Sequence, residues 1–333
     1  MKGRLRAVLP AAAAVAGLFA IGPAGAQELP PDPVSIWTLQ DEAALFGPLA
    51  QRYYTNGFRL GYVSGTDAVP GFLTGVGRAV WGDGQLRFGV DLTQQIYTPK
   101  DIAAPAWPPG DRPYAGVLLA NFSLYRDVPD SRSALGLSIG LVGPGAFASQ
   151  TQDAFHSLFN QTKANGWSSQ LANEPLFQLT SARTWRLKMG SVGGLQTDAL
   201  PNLGIGLGNL RIYADTGIGF RIGQGLDSDY GPVRMFPNPS GGTAFRPTRP
   251  FAWYLFLGAD GQGVVRDITL DGNDFRSGPS VAPEPLVGEV TGGFGIIAFG
   301  TRISYIHAVQ SAQFEHQKNG PIQLDSVAIS TRF

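Results

Sequence analysis

The chain closes on Val327-Ala328-Ile329-Ser330-Thr331-Arg332-Phe333. Successive side chains of an extended strand point to opposite faces. Val327, Ile329, Thr331 and Phe333 therefore share one face, and Ala328, Ser330 and Arg332 share the other. A strand that runs to the last residue and ends on an aromatic ring is typical of bacterial outer-membrane barrels. There the aliphatic set faces lipid and the polar set faces the lumen. A soluble edge strand carries the same alternation, so the rest of the chain has to decide.

Working back along the sequence, the pattern recurs. Leu118, Ala120, Phe122 and Leu124 alternate with Leu119, Asn121, Ser123 and Tyr125, and Leu135, Leu137, Ile139 and Leu141 with Gly136, Ser138 and Gly140. Leu210, Ile212, Ala214, Ile218, Phe220 and Ile222 alternate with Arg211, Tyr213, Asp215, Gly217, Gly219 and Arg221. About twelve strands are expected, near 34–41, 53–65, 85–97, 113–126, 133–143, 174–187, 190–199, 207–222, 250–265, 285–298, 300–310 and 321–333. With a periplasmic N-terminus, strand parity makes the connections 42–52, 98–112 and 144–173 extracellular and 127–132 periplasmic. The long connection 223–249 also falls on the periplasmic side, where barrels usually keep short turns.

Composition agrees with an all-β membrane barrel. Lys+Arg and Asp+Glu balance at 25 each, which leaves no basic field for nucleic acid. Charged residues are 15% of the chain, cysteine is absent, and 45 glycines with 25 prolines point to many short strands and turns. Mean hydropathy is −0.01, far below that of a helical membrane protein. At the other end, Lys2, Arg4 and Arg6 precede an apolar stretch from Ala7 to Ile21 and the small-x-small Ala24-Gly25-Ala26. Residues 1–26 are therefore expected to be a secretory signal and 27–333 the exported barrel.

Chemistry has few candidates. The chain has three histidines. His307 lies in a strand-like run and His316 in a polar loop, so both read as structural or exposed. His156 lies in the best helix candidate, 149–160, where Ser149 and Gln152 resemble a capping box and Phe155, Leu158 and Phe159 make an apolar face. His156 falls beside that face, toward the groove such a helix makes with a barrel rim. Parity puts Asp41, Thr55, Thr98 and Asp111 at the same end. A carboxylate, hydroxyls and carbonyls there could hold Ca²⁺, which would polarise an ester while an imidazole activates water. Gly136-Leu137-Ser138-Ile139-Gly140 matches a nucleophile-elbow pattern, but it sits inside a regular strand and not at a strand-to-helix turn. Asp227-Ser228-Asp229 and Asp271-Gly272-Asn273-Asp274 lack the spacing of a calcium loop and read as polar turns.

Tyr54-Thr55-Asn56-Gly57, Tyr97-Thr98-Pro99, Asp111-Arg112-Pro113-Tyr114-Ala115-Gly116, Gly143-Pro144, Ser149-Gln150 with His156, and Gly166-Trp167-Ser168-Ser169-Gln170-Leu171 with Asn173-Glu174-Pro175 follow one another along the mature chain. In this order they resemble the LpxR-like lipid A deacylases. The resemblance implies a twelve-stranded outer-membrane barrel that removes the 3′-acyloxyacyl group of lipid A with Ca²⁺ as cofactor. It implies His156 as general base, Thr55 lining the site, and Asp41 binding the ion and shaping the oxyanion site. Gln40 stands before Asp41 where the family has an Asn-Asp pair. Lys100 stands near a family lysine, shifted in register, and Thr162 falls roughly where the family has an acid. Phe155 and Phe159 are placed to cover an acyl chain.

The expected function is a Ca²⁺-dependent ester hydrolase in the bacterial outer membrane. Its expected partners are lipid A or lipopolysaccharide, outer-membrane lipids and the barrel assembly machinery, with no nucleic acid. The alternative is a catalytically silent barrel of the same family with a structural or lipid-binding role. A passive pore is the third possibility, and the large inward side chains Arg211, Tyr213 and Arg221 oppose it.

Overall fold

The computed structural model describes residues 29–43, 53–158, 160–232, 235, 244–318 and 320–333. The expected signal segment 1–26 lies outside them. Strand segments are β1 (Ile36–Ala43), β2 (Tyr53–Val63), β3 (Gln85–Thr98), β4 (Ala115–Val128), β5 (Ser131–Val142), β6 (Glu174–Trp185) and β7 (Leu187–Val192). Then come β8 (Leu195–Gly208), β9 (Arg211–Gln224), β10 (Phe251–Asp267), β11 (Leu286–Ala298), β12 (Thr301–Gln310) and β13 (Ile322–Arg332). All pairings are antiparallel, and β1 pairs with β13, Ile36 opposite Arg332. Segment β7 prolongs β6 past Arg186, while β6 pairs directly with β8. The wall is therefore a closed barrel of 12 strands.

One expected strand, 190–199, is corrected. It straddles the β7–β8 hairpin, whose Gly193 and Gly194 both take positive φ (57° and 80°). A two-residue turn of that hand needs glycine. The strand expected from 207 begins at Arg211, because β8 runs on to Gly208.

The barrel is apolar outside and polar within. Trp37, Leu39, Phe58, Leu60, Leu92, Phe122, Leu257 and Ile329 are exposed on the outer face. On the inner face Arg59 pairs with Asp91 at 3.1 Å, and Asn121 Nδ2 donates to the same carboxylate at 2.6 Å. Ser138 is buried in the middle of β5, so the Gly-x-Ser-x-Gly stretch is ordinary strand. At the periplasmic end, Trp37, Tyr62, Phe88 and Phe333 form an aromatic cluster on the outer wall, with centroids 5.4 to 6.4 Å apart. Such clusters mark the membrane–water boundary.

The long periplasmic connection folds back into the lumen. Asp229 is its hub: its carboxylate meets Arg221 at 2.7 Å, Arg302 at 3.1 Å and the Tyr254 hydroxyl at 3.0 Å. Tyr230 lies under Arg132 and Arg186, and Phe245 under Arg302. Met235 reaches the upper part of β1, where its N–H donates to Glu42 at 2.8 Å. At the extracellular mouth Tyr53, Leu270, Phe314 and Ile322 make a small apolar cap. Beneath it Arg112 donates to Gln313 and, at 2.7 Å, to Thr269, and it lies over the Tyr97 ring. Filled in this way, the interior opposes the pore reading.

Among the described residues no helix is long and apolar enough to cross a membrane. Helix α1 (Gly71–Trp81) joins β2 to β3 at the periplasmic end, α2 (Ala148–Leu158) lies between β5 and β6 at the extracellular end, and the short α3 (Ile268–Asp271) follows β10.

Candidate active site

The site is built where α2 lies on the outer wall. Gly143, at φ 109°, turns the chain off β5. A Cβ there would come 2.6 Å from the Ala172 carbonyl carbon, so only glycine fits. One helical turn of Pro144–Ala146 follows, held by Gln94 Nε2 donating to the Ala146 carbonyl at 2.6 Å. Gly116, on the outer face of β4, lets α2 sit against the wall: a Cβ there would be 2.5 Å from that of Ala148.

The buried residues of α2 are Ala148, Gln152 and His156, spaced by four along one face. Phe155 and Leu158 are exposed, and Phe159 lies outside the described residues. The Phe/Leu side, expected to cover an acyl chain, is thus the side turned away from the barrel wall. On a membrane barrel the surroundings are the apolar phase, so α2 turns its polar stripe inward and its Phe/Leu side outward. The expected capping box is absent, because Gln152 Oε1 accepts from Trp167 Nε1 at 2.7 Å. Trp167 in turn packs on Tyr114, with ring centroids 5.1 Å apart.

His156 is 2% exposed. Its Nδ1 lies 2.5 Å from the Thr162 carbonyl oxygen. A carbonyl only accepts, so Nδ1 carries the proton and Nε2 keeps its lone pair. Thr162 falls roughly where the family has an acid; here its backbone oxygen orients the ring. Gln152 Nε2, one helical turn earlier on the same face, is buried with no hydrogen-bond partner among the described residues.

The neighbouring strands supply oxygens. Thr55, the extra residue of a β-bulge between Tyr54 and Asn56, has its hydroxyl 2.7 Å from that of Thr98. Thr98 shares the outer face of β3 with Ile96, which packs in a cluster with Ala148 and Trp167. Asn56 Nδ2 donates to Asp41 Oδ1 at 3.0 Å. Lys100 is held through its N–H by Asp111 Oδ2 at 3.1 Å, in a loop whose Arg112 N–H also bonds that carboxylate.

Gln40 is not brought to this face. Alternation sends Asp41 outward and Gln40 into the lumen, where it is fully buried and donates to Ser326 at 3.0 Å and Glu42 at 3.2 Å. Glu42 points inward as well. His307 pairs with Asp325 at 2.9 Å, a structural contact of β12 with β13. Among the described residues no group of three or more His, Cys, Asp or Glu could hold a metal ion. A cation held at Asp41 would thus have at most one further His, Cys, Asp or Glu ligand among the described residues, the rest being neutral oxygens and waters of the kind Ca²⁺ accepts.

A lipid-facing wall, a lumen crossed by a plug and charge pairs, and a buried histidine on an outer-face helix define an integral outer-membrane barrel with a candidate site on its outer wall. The family model described as "Outer membrane protein LpxR" matches residues 11–333, and the chain belongs to that family. Of solved structures, LpxR from Salmonella typhimurium is similar at TM-score 0.74 and 19% identity, covering 90% of this chain and 100% of that one. The β domain of the Bordetella autotransporter BrkA aligns at TM-score 0.43 and 9% identity, over 91% of this chain and 99% of that one. A search of the curated proteins finds no match.

Proposed function

We propose that this barrel is a lipid A deacylase that hydrolyses the ester of the 3′-acyloxyacyl group, with His156 as general base. The observation that carries the proposal is the buried His156, held through Nδ1 by the Thr162 carbonyl, on the outer wall of an outer-membrane barrel. Family membership supports the substrate class.

In this reading, Nε2 of His156 takes a proton from water as its oxygen attacks the ester carbonyl. Negative charge then develops on the former carbonyl oxygen. Gln152 Nε2, an unpaired buried donor, suits that charge, since donors already aimed there need no rearrangement. Collapse breaks the bond to the sugar oxygen, which receives the proton from His156, leaving a free carboxylic acid and a hydroxyl. A Ca²⁺ ion held by Asp41 with neutral oxygens would polarise the same carbonyl. Thr55 and Thr98 line the wall side, and the outward Phe155 and Leu158 meet the acyl chains of the surrounding lipid. The test is mass spectrometry of lipid A from cells expressing the chain or His156→Gln, with and without Ca²⁺ chelation.

A further inference from the structure

Helix α1 has no role in that chemistry, and its sequence, Gly71-Phe72-Leu73-Thr74-Gly75-Val76-Gly77-Arg78-Ala79-Val80-Trp81, carries one charge. It packs on the barrel through Gly77. A Cβ there would fall 2.8 and 2.9 Å from the two methyls of Leu86 and 3.5 Å from a methyl of Leu124. Leu86 and Leu124 belong to the outward sets of β3 and β4, yet they are 8% and 5% exposed, because α1 covers them. Phe88, the next outward residue after Leu86, belongs to the aromatic cluster with Tyr62. Hence α1 lies against the outer wall at the level of the periplasmic boundary.

An α-helix advances about 100° per residue. Taking Gly77 as facing the wall, Leu73, Val80, Val76 and Phe72 lie to one side, at about 40°, 60°, 100° and 140° from it, with Trp81 about 40° to the other. Arg78 and Thr74 project about a quarter-turn to that second side. The first flank leaves Phe72 73% and Val76 44% exposed; the second leaves Arg78 exposed. An apolar flank and a cationic flank on opposite sides suit a helix lying in a membrane interface. Further along the same two strands, beyond Leu86 and Leu124, the exposed belt of Val90, Leu92 and Phe122 begins. The geometry points to α1 as an interfacial helix that inserts Phe72 and Val76 among the acyl chains of the periplasmic phospholipid leaflet, with Arg78 at headgroup phosphates. This lipid contact is independent of the activity proposed above.

The chain has no cysteine, so single nitroxide labels report one site each. The full barrel carrying Val76→Cys, Phe72→Cys or Arg78→Cys is reconstituted in phosphatidylethanolamine/phosphatidylglycerol vesicles, and assembly is checked by the gel shift between boiled and unboiled samples. Both leaflets hold the same lipid, so insertion direction does not matter. Collision with oxygen, relative to a water-soluble nickel chelate, should be several-fold higher at positions 72 and 76 than at 78, approaching a belt control at Leu92→Cys. Equal, chelate-accessible labels at 72, 76 and 78 would overturn the lipid contact. So would spin–spin broadening at 76 that disappears on dilution with lipid, which would make the partner a second copy of the chain. If one label prevents assembly, the other apolar position gives the same reading.

Discussion

At the scale of the residue, the candidate chemistry turns on which atoms are already committed. His156 Nδ1 is committed to a carbonyl, and Gln152 Oε1 to Trp167, which leaves one lone pair and one N–H pair on the same buried helix face. Gln152→Glu keeps the acceptor for Trp167 and deletes the donor. Turnover of lipid A should fall about 100-fold or more, the usual cost of a lost oxyanion donor, and a loss of only a few-fold would remove Gln152 from the chemistry. Gln40→Asn tests the opposite claim. A lumen-facing side chain bonded to Ser326 and Glu42 should alter turnover by less than a few-fold, and assayed deacylation that rises or falls strongly would return Gln40 to the site. The sequence singled out His156 because its surroundings match a family pattern. It could not reveal the Thr162 partner, since a backbone carbonyl has no signature in residue type. Treating Gln40 and Asp41 as a pair conflicted with the two-residue period of the strand that carries them.

Among the elements, strands were the most legible, because each had to satisfy lipid and lumen on alternate residues. Helix α2 was legible from its pattern, with His156 beside its Phe/Leu side; which side meets the wall follows from the surroundings. Apolar residues mark the core side of a helix only when the surroundings are water, and here they are lipid. The periplasmic connection was legible in length and side, and not in destination: nothing local in Asp227-Ser228-Asp229 says that its second carboxylate will meet both Arg221 of the preceding strand and Arg302 of distant β12. Burial alone would raise the Asp229 carboxyl. Arg221 and Arg302, with the Gly231 N–H and the Tyr254 hydroxyl, more than offset this and hold it below the ordinary carboxylate range. A carboxyl depressed in the folded state adds stability at pH above its unfolded value, and that stability is lost as pH falls through the folded value. The plug should therefore loosen on acidification below about pH 4. Asp229→Asn removes a buried carboxylate from Arg302, while Arg221 keeps Asp198, and should cost about 3–5 kcal/mol at neutral pH. It should also remove this part of the acid sensitivity. Urea unfolding in detergent at neutral and acid pH measures both, and a variant as stable as the parent at neutral pH would contradict the plug's role.

As a whole, the molecule is a closed wall with most of its charge pairs inside and the candidate His156 site outside. The plug and the Arg–Asp pairs divide the lumen into cavities, one lined by Gln95, Asn121 and Tyr213 and another by Asn202, Asp215 and Asp260, and no residue of α2 lines either. The outer wall, by contrast, carries helices at both ends of β3 and β4: α1 over Leu86 and Leu124, and α2 over Ile96 and Gly116. In the proposed reading, a site under α2 receives a molecule already dissolved in the membrane, which is how an acyl ester of lipid A would arrive. The most direct test is the mass spectrum of lipid A from cells that make equal amounts of assembled wild type or His156→Gln. General-base catalysis contributes about 100- to 10,000-fold. The wild type should therefore yield lipid A lacking the mass of the 3′-acyloxyacyl group, and His156→Gln should yield intact lipid A. Deacylation retained within a few-fold in His156→Gln, or lipid A left intact by both, would contradict the account.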